Sequence, residues 1–434
     1  MDLSDNSNET KVVIATYTSF NKGTEALLVT RIAALRRFIS NVSFTVFMFR
    51  FDPEVKKEFP GVSFYEAIGR VAYSKEGLRA GLRTVPPIIK CTLWRFFHRL
   101  HIDMKSLMKD ERLNAYYNAD VVLTIGGDTL TEYLGNSSFL SYFLNLFFGL
   151  LLDKPVVIYA ESIGPFTHWW TRLIARFLLK RAKLITIREN ISKQVLLDLG
   201  VDGSVHVTAD SAFLLQPAPS DRVNAILNAE GMKEREKPLI GIIPSFIVPS
   251  YGLAHFTSPR ESYDHYIALM ARVASRLVDT LNATVLLIPH EIFPHQVSAV
   301  DDRSAGTDIR LLAQRNDRII CIEGNYTAEE TKGIIGKCDL LIAGRLHAAI
   351  AATSLAIPMV MIAYHLKGDA IIGEMVGCSH YMLDINELSY EHLLAKIDDA
   401  WANKAMIRRR LPARIDAIQH KALLNAKLVK QMIE

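Results

Sequence analysis

Two α/β domains in tandem, each a doubly wound parallel sheet, are what the sequence predicts, and three observations carry that prediction. Short apolar runs recur, each passing through Gly or polar turns into helical periodicity. The rhythm breaks once, over residues 216–238, where prolines at both ends enclose a charged stretch, and then restarts. The 434 residues, 50% hydrophobic and 22% charged, suffice for two or three cores and exclude a disordered chain.

In the first domain, residues 1–215, the strands are KVVIATY, FTVFMF, VVLTIGG, PVVIYAES, KLITIRE and VHVTAD. Runs this apolar, alternating with helices, belong to a parallel sheet covered on both faces. Residues 216–238 read as a linker with a short helix. The second domain, 239–400, repeats the pattern with LIGIIPSF, ATVLLIPH, DRIICIEG, CDLLIAG and PMVMIAY, and a helical tail with Arg408-Arg409-Arg410 fills 401–434.

Compartment and partners follow from charge and apolar length. Lys and Arg number 50 against 46 Asp and Glu, a formal net charge of +4, which does not suit a general nucleic-acid binder. The average hides uneven regions. Residues 79–109, a basic aromatic insertion containing CTLWRFFHRLH, hold seven basic residues against one acid, and residues 167–183 hold five and none. Each reads as an amphipathic helix whose bland role is a solvated face and whose sharper role is contact with a membrane surface. The apolar run Phe139–Leu152 falls short of the roughly 20 residues that span a bilayer and reads as a buried helix packed against a sheet, the alternative being an interfacial segment. Four scattered cysteines without a CxxC pair argue against a disulfide framework or a zinc site, and the polar, acidic start lacks a signal-peptide pattern. The expected location is cytoplasmic, peripheral at the inner face of a membrane.

Ligands of open parallel sheets bind beyond the carboxyl ends of strands, so motifs there carry the chemistry. The NKGTEALL turn, through Asn21 and Gly23, is either a tight βα turn or an anion-binding helix start. In VVLTIGGDTLTEYLG, Gly126-Gly127 permits close backbone approach, Asp128 or Thr129 can cap a following helix, and Asp128 and Glu132 can bind sugar hydroxyls. Glu161, Arg188 with Glu189, and Asp210 end three further strands, giving the first sheet a polar rim. A carboxylate at such a place is solvated, paired or functional. The sharpest constellation is CDLLIAGRLHAAIAA, which delivers Gly344, Arg345 and His347 to the start of a helix of small residues, with His365 and Lys367 after the next strand. A guanidinium fork, a histidine that titrates near neutrality and a helix start together suit a small anion.

With GGDTL, ESIGP, RENIS, ADSAF and AGRLHA in this order, the sequence resembles the polysaccharide pyruvyl transferase family. That resemblance implies a GT-B-like pair of Rossmann-like domains facing a cleft. It also implies an enzyme that moves the enolpyruvyl group of phosphoenolpyruvate onto two hydroxyls of a sugar, in a cell-surface glycan or its lipid-linked precursor, forming a ketal and releasing phosphate. Carried over by motif, Arg188, Arg345, His347 and Lys367 hold the donor with Gly344, and His347 gives a proton to the methylene carbon. Glu161, Asp128 and Asp210, in that order, are the candidate bases, and Asn21, Gly126, Gly127, Asp128, Glu132 and Asp210 the acceptor side. No metal and no cofactor beyond the donor substrate is called for. The family's G-x-R-L-H motif is altered, since Ala343-Gly344 precedes Arg345 and displaces the glycine by one. Two rivals keep the same architecture: a GT-B glycosyltransferase with a sugar-nucleotide donor, and an inert membrane-associated glycan-binding protein.

Overall fold

A computed structural model describes residues 9–18, 20–49, 53, 55–70, 81–133, 135–232, 238–251, 256, 258–293, 301–314 and 316–434. Arg79, where the basic insertion was expected to begin, lies outside them. The chain forms two compact units. The first comprises residues 1–19, 27–211 and 421–434, and the second residues 20–26 and 212–420.

The first unit holds an eight-stranded parallel sheet: β1 (Thr10–Tyr17), β2 (Val42–Met48), β3 (Val62–Glu66), β4 (Val121–Leu123), β5 (Gly127–Leu130), β6 (Val156–Ile163), β7 (Leu184–Ile187) and β8 (Val205–Val207). Its order is β3-β2-β1-β4-β6-β7-β8, with β5 paired to β6. The order reverses between β1 and β4, which creates the switch point where ligands bind in such sheets. The helices used below are α1 (Lys22–Phe38), α2 (Val85–Arg99), α3 (Asn136–Leu151) and α4 (Trp169–Leu179). As expected for its all-round apolarity, α3 is buried over most of its length, against the sheet. Strands β3 and β5 escaped the sequence reading, β3 because it is a short edge strand and β5 because Gly127 disguised it as a turn.

The second unit has a six-stranded parallel sheet: β9 (Leu239–Ile243), β10 (Thr284–Leu287), β11 (Ile319–Cys321), β12 (Leu340–Ala343), β13 (Met359–Ala363) and β14 (Met382–Asp384). Its order, β11-β10-β9-β12-β13-β14, reverses between β9 and β12. Its helices used below are α5 (Ser220–Ala229), α6 (Asp302–Leu312) and α7 (Leu346–Ser354). Within residues 216–238, read as a linker, α5 buries Val223, Ile226 and Leu227 in this unit, an apolar stripe at helical spacing that charge at the ends obscured. Helix α8 (Lys404–Ile433), read as a tail, is shared between the units: Lys421 onward belongs to the first, where Asn425 donates to Ala209 O at 3.0 Å and accepts from the Thr208 hydroxyl at 2.7 Å.

Candidate functional site

In the second unit, the RLH segment leaves the central strand β12 and starts α7. Arg345 is buried, and all three of its guanidinium nitrogens are engaged. Nε and Nη2 meet Asp302 at 3.0 and 2.7 Å, and Nη1 meets Glu291 at 2.7 Å. Burial alone would lower its pKa, but the carboxylates of Asp302 and Glu291 outweigh that and hold it raised. Asp302, fully buried at the first turn of α6, also accepts backbone N–H groups from Phe246, His290 and Glu291, at 3.4, 3.1 and 2.8 Å. It thus ties the segments that follow β9, β10 and β12 into one assembly. Gly344 has a packing reason: a Cβ there would sit 3.0 Å from Ser245 Cβ and 3.1 Å from Val248.

The NKG turn also belongs to this unit. Asn21 Oδ1 accepts from the Gly23 and Thr24 amides at 2.8 and 3.3 Å, and Lys22 N donates to His290 O at 2.9 Å. Of the two readings of this turn, the capped βα turn holds, because these first amides of α1 are taken by the protein itself and leave little for an anion. A Cβ on Gly23 would collide with Nδ1 of His347, so turn and imidazole are in direct contact. Lys22, His290, Thr331, Lys332 and His347 line a small enclosed cavity. Burial pushes His290 well below the usual histidine range, helped by Arg345, His347 and Lys22, so it is neutral near pH 7. Lys332, whose Nζ donates to Leu215 O at 2.6 Å, is lowered by burial to about 8. Lys367 is buried just after β13, the strand beside β12.

In the first unit, the strand ends carry a second buried polar cluster. Arg188 donates through Nε to Ser162 at 2.8 Å and through Nη1 to Asp210 at 2.5 Å, both partners fully buried. Burial would lower Arg188, yet Asp210 and then Asp128 hold its pKa raised. Glu161 takes the Thr129 amide at 2.6 Å and the Thr129 hydroxyl on Oε1, while Oε2 makes no hydrogen bond among the described residues. Its pKa is raised by burial against those bonds. The register of β6 slips between Ile158 and Glu161, and Ala160 has φ 48°, a bulge of the kind that re-aims the next side chain. Behind them, fully buried Arg31 of α1 stacks over Tyr159 at 4.2 Å and donates Nη1 to Thr124 O at 2.5 Å. Burial lowers its pKa to about 10, and its Nε and Nη2 make no hydrogen bond among the described residues. Gly126 and Gly127 both have positive φ, and a Cβ on Gly126 would lie 2.6 Å from Arg31 Nη2 and 2.9 Å from Tyr159 O.

Three expected roles change. Arg345, expected to hold the donor, has all three guanidinium nitrogens committed to Asp302 and Glu291. Asp128 and Thr129 do not cap a helix, because they lie in β5 and α3 begins only at Asn136. Glu132 is committed to the start of α4, accepting from the Thr167 and His168 amides at 2.8 and 3.1 Å and from the Thr167 and Thr171 hydroxyls, which offset burial and lower it to about 2. Sequence reasoning missed Asp302, His290, Glu291, Lys332 and Arg31. His290-Glu291 directly follows β10, so the strand-end rule applied to the second sheet would have found that pair.

The model of the polysaccharide pyruvyl transferase family matches residues 64–365. The amylovoran biosynthesis protein AmsJ of Erwinia amylovora is 22% identical over 342 residues, 78% of each chain. Among solved structures, the UDP-GlcNAc 2-epimerase of Neisseria meningitidis is similar with TM-score 0.58 at 11% identity, over 98% of this chain and 99% of that one. The sucrose-phosphate synthase of Thermosynechococcus elongatus is similar with TM-score 0.56 at 13% identity, over the same shares. At such identities the likeness concerns the fold, two parallel-sheet α/β units of the GT-B type.

Proposed function

This chain belongs to the polysaccharide pyruvyl transferase family, and from that premise we propose that it forms a pyruvate ketal on a glycan, with phosphoenolpyruvate as donor. The observation that carries the reading is the RLH turn. Arg345 is locked by two carboxylates while His347, on the next turn of chain, stays half-buried against Gly23 at the switch point of its sheet. Such an arrangement separates roles: Arg345 positions the turn, and His347, at the start of α7, acts on the substrate.

His347, protonated, gives its proton to the methylene carbon of phosphoenolpyruvate. The first sugar hydroxyl then bonds to the adjacent carbon and loses its proton to a carboxylate. The second hydroxyl displaces phosphate, closing the ketal, and its proton leaves with the departing group. Lys367 and the start of α7 favour the anionic donor. Arg188 is assigned to the donor by its motif alone, and Glu161, Asp128 and Asp210 of the first unit, with Gly126 and Gly127, to the acceptor. Glu161 is the preferred base, because burial raises its proton affinity and one of its oxygens makes no hydrogen bond among the described residues. The acceptor is a cell-surface glycan or its lipid-linked precursor, and the reaction as written needs no cofactor.

The test is phosphate release from phosphoenolpyruvate with glycan acceptors. Substituting His347→Ala is expected to slow release by roughly 10²–10⁴-fold without moving the unfolding midpoint. Unchanged turnover ends the assignment. Thermal stabilisation by a nucleoside diphosphate and not by phosphoenolpyruvate transfers it to a sugar-nucleotide glycosyltransferase.

A further inference from the structure

Helices α2, α3 and α4 of the first unit pack side by side with α3 in the middle, and each outer helix exposes an apolar stripe beside basic residues. Along α2, Val85, Ile89, Leu93 and Phe96 are exposed at helical spacing, Phe96 by 59%, while Cys91 and Trp94 turn into the core. Along α4, Trp169, Leu173 and Phe177 repeat the pattern, Trp169 being 77% and Leu173 61% exposed. Helix α3 joins them. Phe147 and Phe177 rings lie 6.1 Å apart, and Arg95 of α2 donates to Leu150 O at 3.1 Å and pairs with Asp153 at 2.5 Å. The outer side chains of α3, Leu140, Leu144 and Phe147, are half-buried between the two stripes.

A face of this kind is larger and more regular than the scattered apolar residues of an ordinary surface. Its charges choose the occupant. None of the three helices contains an Asp or Glu, whereas Lys90 and Arg99 flank the α2 stripe and Arg172, Arg176 and Lys180 border the α4 stripe. A second copy of the chain seated face to face would set cation against cation, since Asp153 beside α3 is already paired with Arg95. An anionic lipid bilayer answers both features. Tryptophan and phenylalanine enter the boundary between headgroups and acyl chains, while the basic stems lie along it with their charges on phosphates. No helix among the described residues is long and apolar enough to cross a membrane, so attachment by this face is monotopic. We propose that α2, α3 and α4 form a docking surface for an anionic membrane. The proposal stands independently of the chemistry at the strand ends.

Sedimentation of the full chain with vesicles of phosphatidylcholine alone and of mixed phosphatidylcholine and phosphatidylglycerol tests it. Binding is expected to the mixed vesicles at low salt, much less to the neutral ones, and to weaken as salt rises. Arg176→Glu is expected to cost about fivefold or more in affinity, and the exposed pair Phe96→Glu with Leu173→Glu to abolish binding with the unfolding midpoint unchanged. No sedimentation with mixed vesicles at low salt overturns the proposal, as does binding that ignores these substitutions. A dimer that Leu173→Glu dissolves, in a chain indifferent to vesicles, assigns the face to a second copy and likewise overturns it.

Discussion

Each unit sets a buried arginine against a buried aspartate at the ends of parallel strands, but the two pairs are finished differently. In the second unit Arg345 spends every nitrogen on Asp302 and Glu291, and Asp302 collects three backbone amides besides. In the first unit Arg188 meets Asp210 and Ser162, and beside that pair Glu161 Oε2 and two nitrogens of Arg31 make no hydrogen bond among the described residues. Buried polar groups are seldom left so without a use for them. The Arg345–Asp302 pair is a closed scaffold, yet His290 Nδ1 and Ser245 Oγ around it also make no hydrogen bond among the described residues, so the contrast lies in the two ion pairs and not in the polar groups that surround them.

The largest expected effect tests the word scaffold. Removing Asp302, as Asp302→Ala, strips Arg345 of one of its two carboxylates and orphans three amides, and is expected to destabilise by at least about 3–5 kcal/mol. Urea unfolding of the variant measures the loss, and a loss below about 1 kcal/mol would break the scaffold reading.

Next in size are two pH slopes of opposite sign. Lys332 falls from its ordinary 10.5 to about 8 in the folded chain, so the unfolded state binds more protons between those values. Its contribution to stability is full above 10.5 and is lost as pH falls through about 8, on the order of 3 kcal/mol in all. Lys332→Met should erase that component from the stability curve. Glu161 runs the other way: its raised value means that its contribution is full below about 4.5 and lost as pH rises through the folded value. Glu161→Gln should therefore gain on the wild type as pH climbs above 4.5. A difference that is flat with pH in either variant shows that the group titrates alike folded and unfolded.

Much of this was legible in the chain because parallel strands announce themselves as apolar runs and the topology then fixes which residues meet at their ends. Glu161, Arg188, Asp210, Arg345 and His347 were found that way. What escaped were the partners that act through distance in sequence. Asp302 opens a helix after a loop, where an acid is ordinary, and nothing local marks it as the counter-ion of Arg345, 43 positions on. Arg31 sits in the helical run TRIAALRRF, where an arginine normally faces solvent, and only its burial beneath Tyr159 shows otherwise. Residues 20–26 belong with the second unit although they follow the first strand of the first, because their turn pairs with the end of β10 through His290 and Glu291. Periodicity carries no information about such returns.

The smallest effect sharpens the comparison at one glycine in each cluster. Gly126 has φ 84°, and an added Cβ would press on Tyr159 O and Arg31, so Gly126→Ala combines backbone strain with collision and is expected to cost about 2–4 kcal/mol. Gly23 has no positive φ and opens α1, where alanine is the better helix former by about 1 kcal/mol, so strain is not its reason. An added Cβ would meet the His347 ring and, at 2.9 Å, Asn21 Oδ1, so the ring must change rotamer and the cap must give. Gly23→Ala should therefore lower the unfolding midpoint only modestly and still depress phosphate release, because the imidazole has been moved. If release is unaffected while the midpoint drops, the glycine serves packing alone and the contact with His347 has no part in the chemistry.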